Sequence, residues 1–176
     1  MKKIFMLAAM FVMLISCTAF AAQSGFGTKV VIIGGAEYKT DDYYKIVQKT
    51  LGSKTKETYE CGKEIHKRYQ VFMMDRYDVG EDKPKKNDMV DFVAWSGYDK
   101  VLFIMLDENI DTQTHGSHSQ KNRITIQMDA YLAGNENIVS VSTTSQDFVS
   151  KASNLRARRG AFEKCLKEIA TDMNLW

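Results

Sequence analysis

The sequence predicts an α/β sandwich: a mixed sheet with antiparallel strands in its C-terminal half and helices largely on one face. Three observations predict it. Lys100 to Leu106 holds a continuous apolar run, the pattern of a covered strand. Arg123 to Ala133 alternates, with Ile124, Ile126, Met128, Ala130 and Leu132 on one side and Arg123, Thr125, Gln127, Asp129 and Tyr131 on the other. A period of two with one wet face is a half-buried strand. Residues 134–137, Gly-Asn-Glu-Asn, then turn the chain into a third run, Ile138 to Thr144. The insert from Asp111 to Asn122 is too polar to supply the packing stripe of a crossover helix, which excludes an all-parallel sheet.

The chain begins with Lys2 and Lys3 ahead of the apolar stretch Ile4 to Ile15, which is twelve residues long. A membrane span needs ~20. Ala19 and Ala21 form a small-x-small site, so residues 1–21 read as a signal peptide cleaved before Ala22. Leu14 to Cys17 offers a rival, a lipobox in which Cys17 is lipidated; a retained anchor helix is the third reading. Either form of processing leaves no transmembrane anchor. Removing Lys2 and Lys3 lowers Lys+Arg from 24 to 22 against 22 Asp+Glu, so the processed chain has no net charge. It has no overall field to draw in nucleic acid or an anionic membrane.

Residues 22–28 form a flexible lead-in to a single domain, 29–176. Lys29 to Ile33 is a strand closed by Gly34 and Gly35. Thr40, Asp41 and Asp42 start a helix carrying Tyr44, Val47, Gln48 and Leu51, which Gly52 stops. Ser53 to Glu64 fits a second helix or a loop. Tyr69 to Met74 reads as a strand, and a polar connection with Pro84 follows. Asn87 or Asp88 caps a helix with Met89, Val90, Phe92, Val93 and Trp95, ending at Gly97; Tyr98-Asp99 turns into the central strand. Ser153 caps the last helix, whose stripe is Leu155, Phe162, Leu166, Ile169 and Met173 with Cys165 beside it. Gly160 inside that helix costs ~1 kcal/mol relative to Ala, and the expected reason is close approach to the sheet.

This layout resembles the small periplasmic domain shared by curli-secretion lipoproteins, the N-terminal part of the Tol translocation protein, and lipoprotein activators of penicillin-binding proteins. The resemblance rests on the strands Lys29–Ile33, Lys100–Leu106 and Arg123–Thr144 and on the closing helix Ser153–Met173. It implies an envelope interaction or assembly module without catalysis, whose partner is another envelope protein. Residues 96–100 and 155–162 also resemble a narrower set of uncharacterised secreted bacterial proteins, which implies no known activity.

Candidate chemistry is sparse. His115 and His118 with Asp111 suit a zinc-type ion, and give the alternative reading of a metal-binding or hydrolytic protein; against it, the loop has no helix to fix both rings. Gly34-Gly35 after a strand invites a nucleotide, but neither G-x-G-x-x-G nor a Gly-Lys-Ser/Thr follows, and Glu37 repels phosphate. No cofactor is expected. Arg156 and Arg159 share a side of the last helix and can hold an acidic partner. Export permits a disulfide between Cys61 and Cys165; two separate buried thiols are the alternative. Cys61 and His66 can be read as nucleophile and base, but a helix places them on poorly matched faces.

Overall fold

The structure, a computed structural model, describes residues 27–77, 83–115 and 119–176. The expected signal peptide, Cys17 and His118 lie outside them. The elements are β1 (Thr28–Ile33), a 3-10 turn (Ala36–Tyr38), α1 (Asp41–Leu51), β2 (Tyr59–Cys61), α2 (Lys63–Arg76), α3 (Lys86–Ser96), β3 (Val101–His115), β4 (Ser119–Ala133), β5 (Ile138–Ser150) and α4 (Asn154–Asp172). The sheet order is β2-β1-β3-β4-β5. β1 runs parallel to both β2 and β3, while β3–β4 and β4–β5 are antiparallel. This is the expected α/β fold with a mixed sheet.

Alternation along β1 and β3 splits the core in two. Val30, Ile32, Leu102 and Ile104 face one way, into a cluster with α1, α4 and the buried row of β4. Val31, Ile33, Val101 and Phe103 face the other way, into a cluster with α2 and α3. The helices therefore divide two and two between the faces, and do not lie largely on one face as the sequence predicted. Parallel strands are buried on both sides because their crossovers cover both. The antiparallel end is covered on one face by α4, while Val139, Val141 and Val149 stand exposed on the other.

Several expected elements differ. Tyr69 to Met74 is helix, the second half of α2: His66, Tyr69, Phe72 and Met73 are buried, whereas Val71 and Met74 are exposed, a 3.6-residue rhythm. Six residues, five of them apolar, were too few to separate that rhythm from a strand. The insert Asp111–Asn122 is the outer part of a long hairpin, in register as far as His115 opposite Ser119. Backbone pairing carries the ladder past the end of the core, where no apolar face is needed. β5 runs on through Asp147 and Phe148 to Ser150. Ser53–Glu64, read as a helix or a loop, contains β2, and α3 is capped by Lys85 rather than by Asn87 or Asp88, with the Asp88 carboxylate accepting from Lys85 N at 2.9 Å. Two helix ends hold as read: Gly97 takes a left-handed φ of 70°, and the Ser153 hydroxyl accepts from Arg156 N at 3.2 Å. A Cβ on Gly160 would lie 2.5 Å from the Phe148 ring, so this residue does let α4 close on the sheet.

Candidate functional site

In this sheet, with strands in the order β2-β1-β3, the chain leaves β1 for β2 across one face and returns from β2 to β3 across the other. The crevice beyond the C-terminal end of β1, beside the middle of β3, is the place where such sheet orders hold ligands. Here it is lined by Ile33, Gly34, Gly35, Lys39, Lys83, Met105, Leu106 and Asp107, and its volume is ≈ 280 Å³. Gly34 is required by close approach, since a Cβ there would meet Leu106 Cβ at 3.1 Å.

The chain's own cations pair the two carboxylates beside this crevice, whereas Lys39, which also lines it, has no acid partner among the described residues. β3 leaves its apolar run at Leu106, and the next two residues are acids that alternation sends to opposite faces. Asp107 takes the Lys83 ammonium at 2.6 Å, with both groups exposed. Glu108 turns towards α4, where Arg158 grips it with two bonds, Nε to Oε2 at 2.6 Å and Nη2 to Oε1 at 2.7 Å. The Tyr38 hydroxyl donates to the same carboxylate. The Glu108 and Arg158 side chains are only 12% and 17% exposed.

Burial pushes the Glu108 carboxyl up, but the Arg158 and Tyr38 hydrogen bonds and the Arg158 charge outweigh it and hold its pKa below the usual value. The same bonds, led by that to Glu108, raise Arg158. Burial first, then Glu108, raises the Tyr38 phenol. Below the ion pair Tyr38, Tyr43 and Phe162 pack as an aromatic cluster with ring centres 5.1 to 5.9 Å apart. Tyr43, raised to about 12 chiefly by burial, has a buried hydroxyl with no hydrogen-bond partner among the described residues.

These groups are arranged to hold one another. The carboxylate has its cation and a hydroxyl donor, and the arginine fork is spent on it. Acids also occupy the first turn of α1, where Asp41 and Asp42 stand in the place an anion would take. Among the described residues no Ser, Thr or Cys lines the crevice. Arg158, which lies off the Arg156–Arg159 side of the helix, is the arginine at the centre of the cluster. Arg156 is exposed, and Arg159 pairs with Asp42 of α1. The missed residues, Tyr38, Glu108 and Arg158, are 50 to 120 positions apart in the chain; only the fold joins them.

The other expectations resolve separately. Cys61 and Cys165 are free buried thiols, so the expected disulfide is not formed. Burial pushes them to about 12 and about 11. They pack against different partners, and Cys165 Sγ donates to Ile126 O at 3.3 Å. His66 is not a base for Cys61: its Nε2 accepts from Ile32 N at 2.8 Å, its Nδ1 meets Gly62 O at 2.9 Å, and its ring stacks on Tyr44. β2 ends level with Val30, and the imidazole takes over its pairing with β1. Burial lowers the His66 pKa. Asp111 is exposed on β3 opposite Arg123, and the His115 backbone closes the hairpin. Among the described residues no group of three His, Cys, Asp or Glu is placed to hold a metal ion.

No protein-family model matches the chain, and no curated protein matches it. Solved structures similar to it include a hypothetical protein from Chlamydia trachomatis, 8% identical over 83% of this chain and 95% of that one, with a TM-score of 0.45. A lipoprotein from Neisseria meningitidis is 10% identical, covering 84% of this chain and 98% of its own, with a TM-score of 0.42. A PelC dodecamer from Paraburkholderia phytofirmans is 12% identical, covering 85% and 91%, with a TM-score of 0.41. At these identities and scores none of them carries an activity over to this chain.

Proposed function

We propose that this chain is an exported cell-envelope protein that works by contact with other protein surface and performs no catalysis. One observation carries the reading. At the crevice where this sheet order would hold a ligand Lys83 is spent on Asp107, and next to it Arg158, Glu108 and Tyr38 hold one another, while the opposite end of the sheet finishes in an open thirteen-residue strand. The leader at residues 1–21, and the resemblance of the layout to periplasmic assembly domains, support the envelope as its place. No helix among the described residues is long and apolar enough to cross a membrane. The chain is then released after cleavage at Ala22 or tethered through Cys17.

The test has three parts. Mass spectrometry of the mature N-terminus distinguishes a free chain starting at Ala22 from a diacylated Cys17; an uncleaved Met1 refutes export. Thermal shift of the purified chain against nucleotides, sugar phosphates and amino acids is expected to show no stabilisation, and one abolished by Gly34→Val refutes the inert crevice. Metal analysis with and without His115→Ala and His118→Ala is expected to find no stoichiometric metal. Bound metal lost in those variants moves the function to the hairpin tip.

A further inference from the structure

We infer that β5 is a self-association edge, pairing antiparallel with β5 of a second copy to build one ten-stranded sheet. This rests on the contact reading above and names its partner. Among the described residues β5 is the last strand of the sheet, with β4 on one side and no strand on the other. At about 3.4 Å per residue it presents an edge roughly 40 Å long. Natural edges are blunted by Lys, Pro, bulges or shortness. β5 has neither Lys nor Pro, its single charged residue is Asp147, and its one register irregularity lies at the Ala133–Ile138 end. The β2 edge of the same sheet, by contrast, is three residues long.

The choice of a second copy comes from the charge pattern of α4. This helix lies over both β4 and β5, and three exposed side chains follow the open edge. Lys164 Nζ donates to Asp147 O, Glu168 accepts from Thr144 and Gln146, and Asp172 accepts from Ser142. The row is thus cationic at the Phe148 end and acidic at the Ser142 end. An antiparallel two-fold reverses one copy against the other, so each end meets its complement.

With the axis at Ser145, Val141 stands opposite Val149 of the second copy, twice by symmetry, and Thr143 opposite Asp147. Exposed valines at 47% and 44% are thereby covered. The same register brings Lys164 of each copy to Asp172 of the other. Glu168 meets its own copy near the axis, and its bonds to Thr144 and Gln146 hold it back over its own strand. New strands stack ~4.8 Å apart. With α4 seated between β4 and β5, the two helices lie roughly 10 Å apart, the ordinary helix packing distance. Sheet and helix layers therefore close in one interface that is isologous and self-limiting.

The experiment is sedimentation velocity on the full processed chain over a hundredfold concentration range, with variants. The wild type is expected to dimerise. Lys164→Asp and Asp172→Lys each turn two cross-copy attractions into repulsions, and each is expected to weaken the dimer about tenfold, ~1.4 kcal/mol. The two changes together exchange the charges and restore it. Val141→Lys with Val149→Lys sets like charges opposite one another and is expected to leave monomer. Far-ultraviolet circular dichroism checks that each variant is folded. Ser145→Cys is expected to give a copy-to-copy disulfide on oxidation. A wild type that stays monomeric throughout overturns the inference, including one that instead takes up an added extended peptide. So does a dimer indifferent to all of these changes. Neither result bears on the crevice, whose ligand panel tests the contact reading separately.

Discussion

Replacing Arg158 with methionine removes the guanidinium and leaves Glu108 in a site only 12% exposed, with the Tyr38 hydroxyl as its remaining partner. Breaking a buried pair from one side costs about 3–5 kcal/mol, because the surviving charge is desolvated without its counter-charge. Tyr38 offsets part of this, so about 3 kcal/mol is expected, a fall in Tm of roughly 6–12 °C at the 2–4 °C per kcal/mol of a chain this size. Urea unfolding at neutral pH measures it. The pH dependence supplies an independent check. In the wild type Glu108 sits below its ordinary value, so its contribution is full above that ordinary value and is lost as pH falls from there through the lowered folded value. Without Arg158, burial alone raises the carboxyl, and the sign reverses: the deficit is greatest at neutral pH and shrinks as acid protonates Glu108 in both states. Combining Glu108→Leu, Arg158→Met and Tyr38→Phe removes every polar partner together and is expected within about 1 kcal/mol of wild type. A single Arg158→Met chain as stable as wild type at pH 7 would refute the reasoning, as would a triple variant no better than the single one.

Three further outcomes are expected. His66 accepts a bond in its neutral form and its pKa is lowered by burial, so the unfolded chain takes up a proton first and stability falls as pH drops below the ordinary histidine value of ~6.5; His66→Gln should flatten the urea midpoint between pH 7.5 and 5.5. Gly160→Ala gains ~1 kcal/mol of helix propensity but drives a methyl into Phe148, at a cost of ~1–3 kcal/mol, for a net loss of about 1 kcal/mol; in a Phe148→Ala background the same change should stabilise, which a double-mutant cycle by thermal unfolding will show. Cys61 and Cys165, with thiols pushed to about 12 and about 11 by burial, should resist alkylation at pH 8 in the folded chain and react in urea, read by peptide mass spectrometry; modification of either in the native protein within minutes contradicts their burial.

The sequence alone determined the local rhythms. The run Lys100–Leu106 and the alternation Arg123–Ala133 mark strands, and Thr40 with Gly52, Gly97 and Ser153 mark helix ends, because these signals lie within a few residues of one another. It misread Tyr69–Met74, where five apolar residues in six satisfy two periods and the deciding charge pattern lies upstream in Lys63–Arg68. It underestimated the hairpin, since ladder hydrogen bonds are made by backbone and leave no mark in side-chain polarity. Tertiary structure alone decided the rest: which face each helix covers, that β2 is cut short and finished by His66, and that Tyr38, Glu108 and Arg158 meet. Those are contacts between positions far apart in the chain, fixed by strand order. A sequence states its neighbours along the backbone, whereas a crevice closed by its own ion pair depends on neighbours through space.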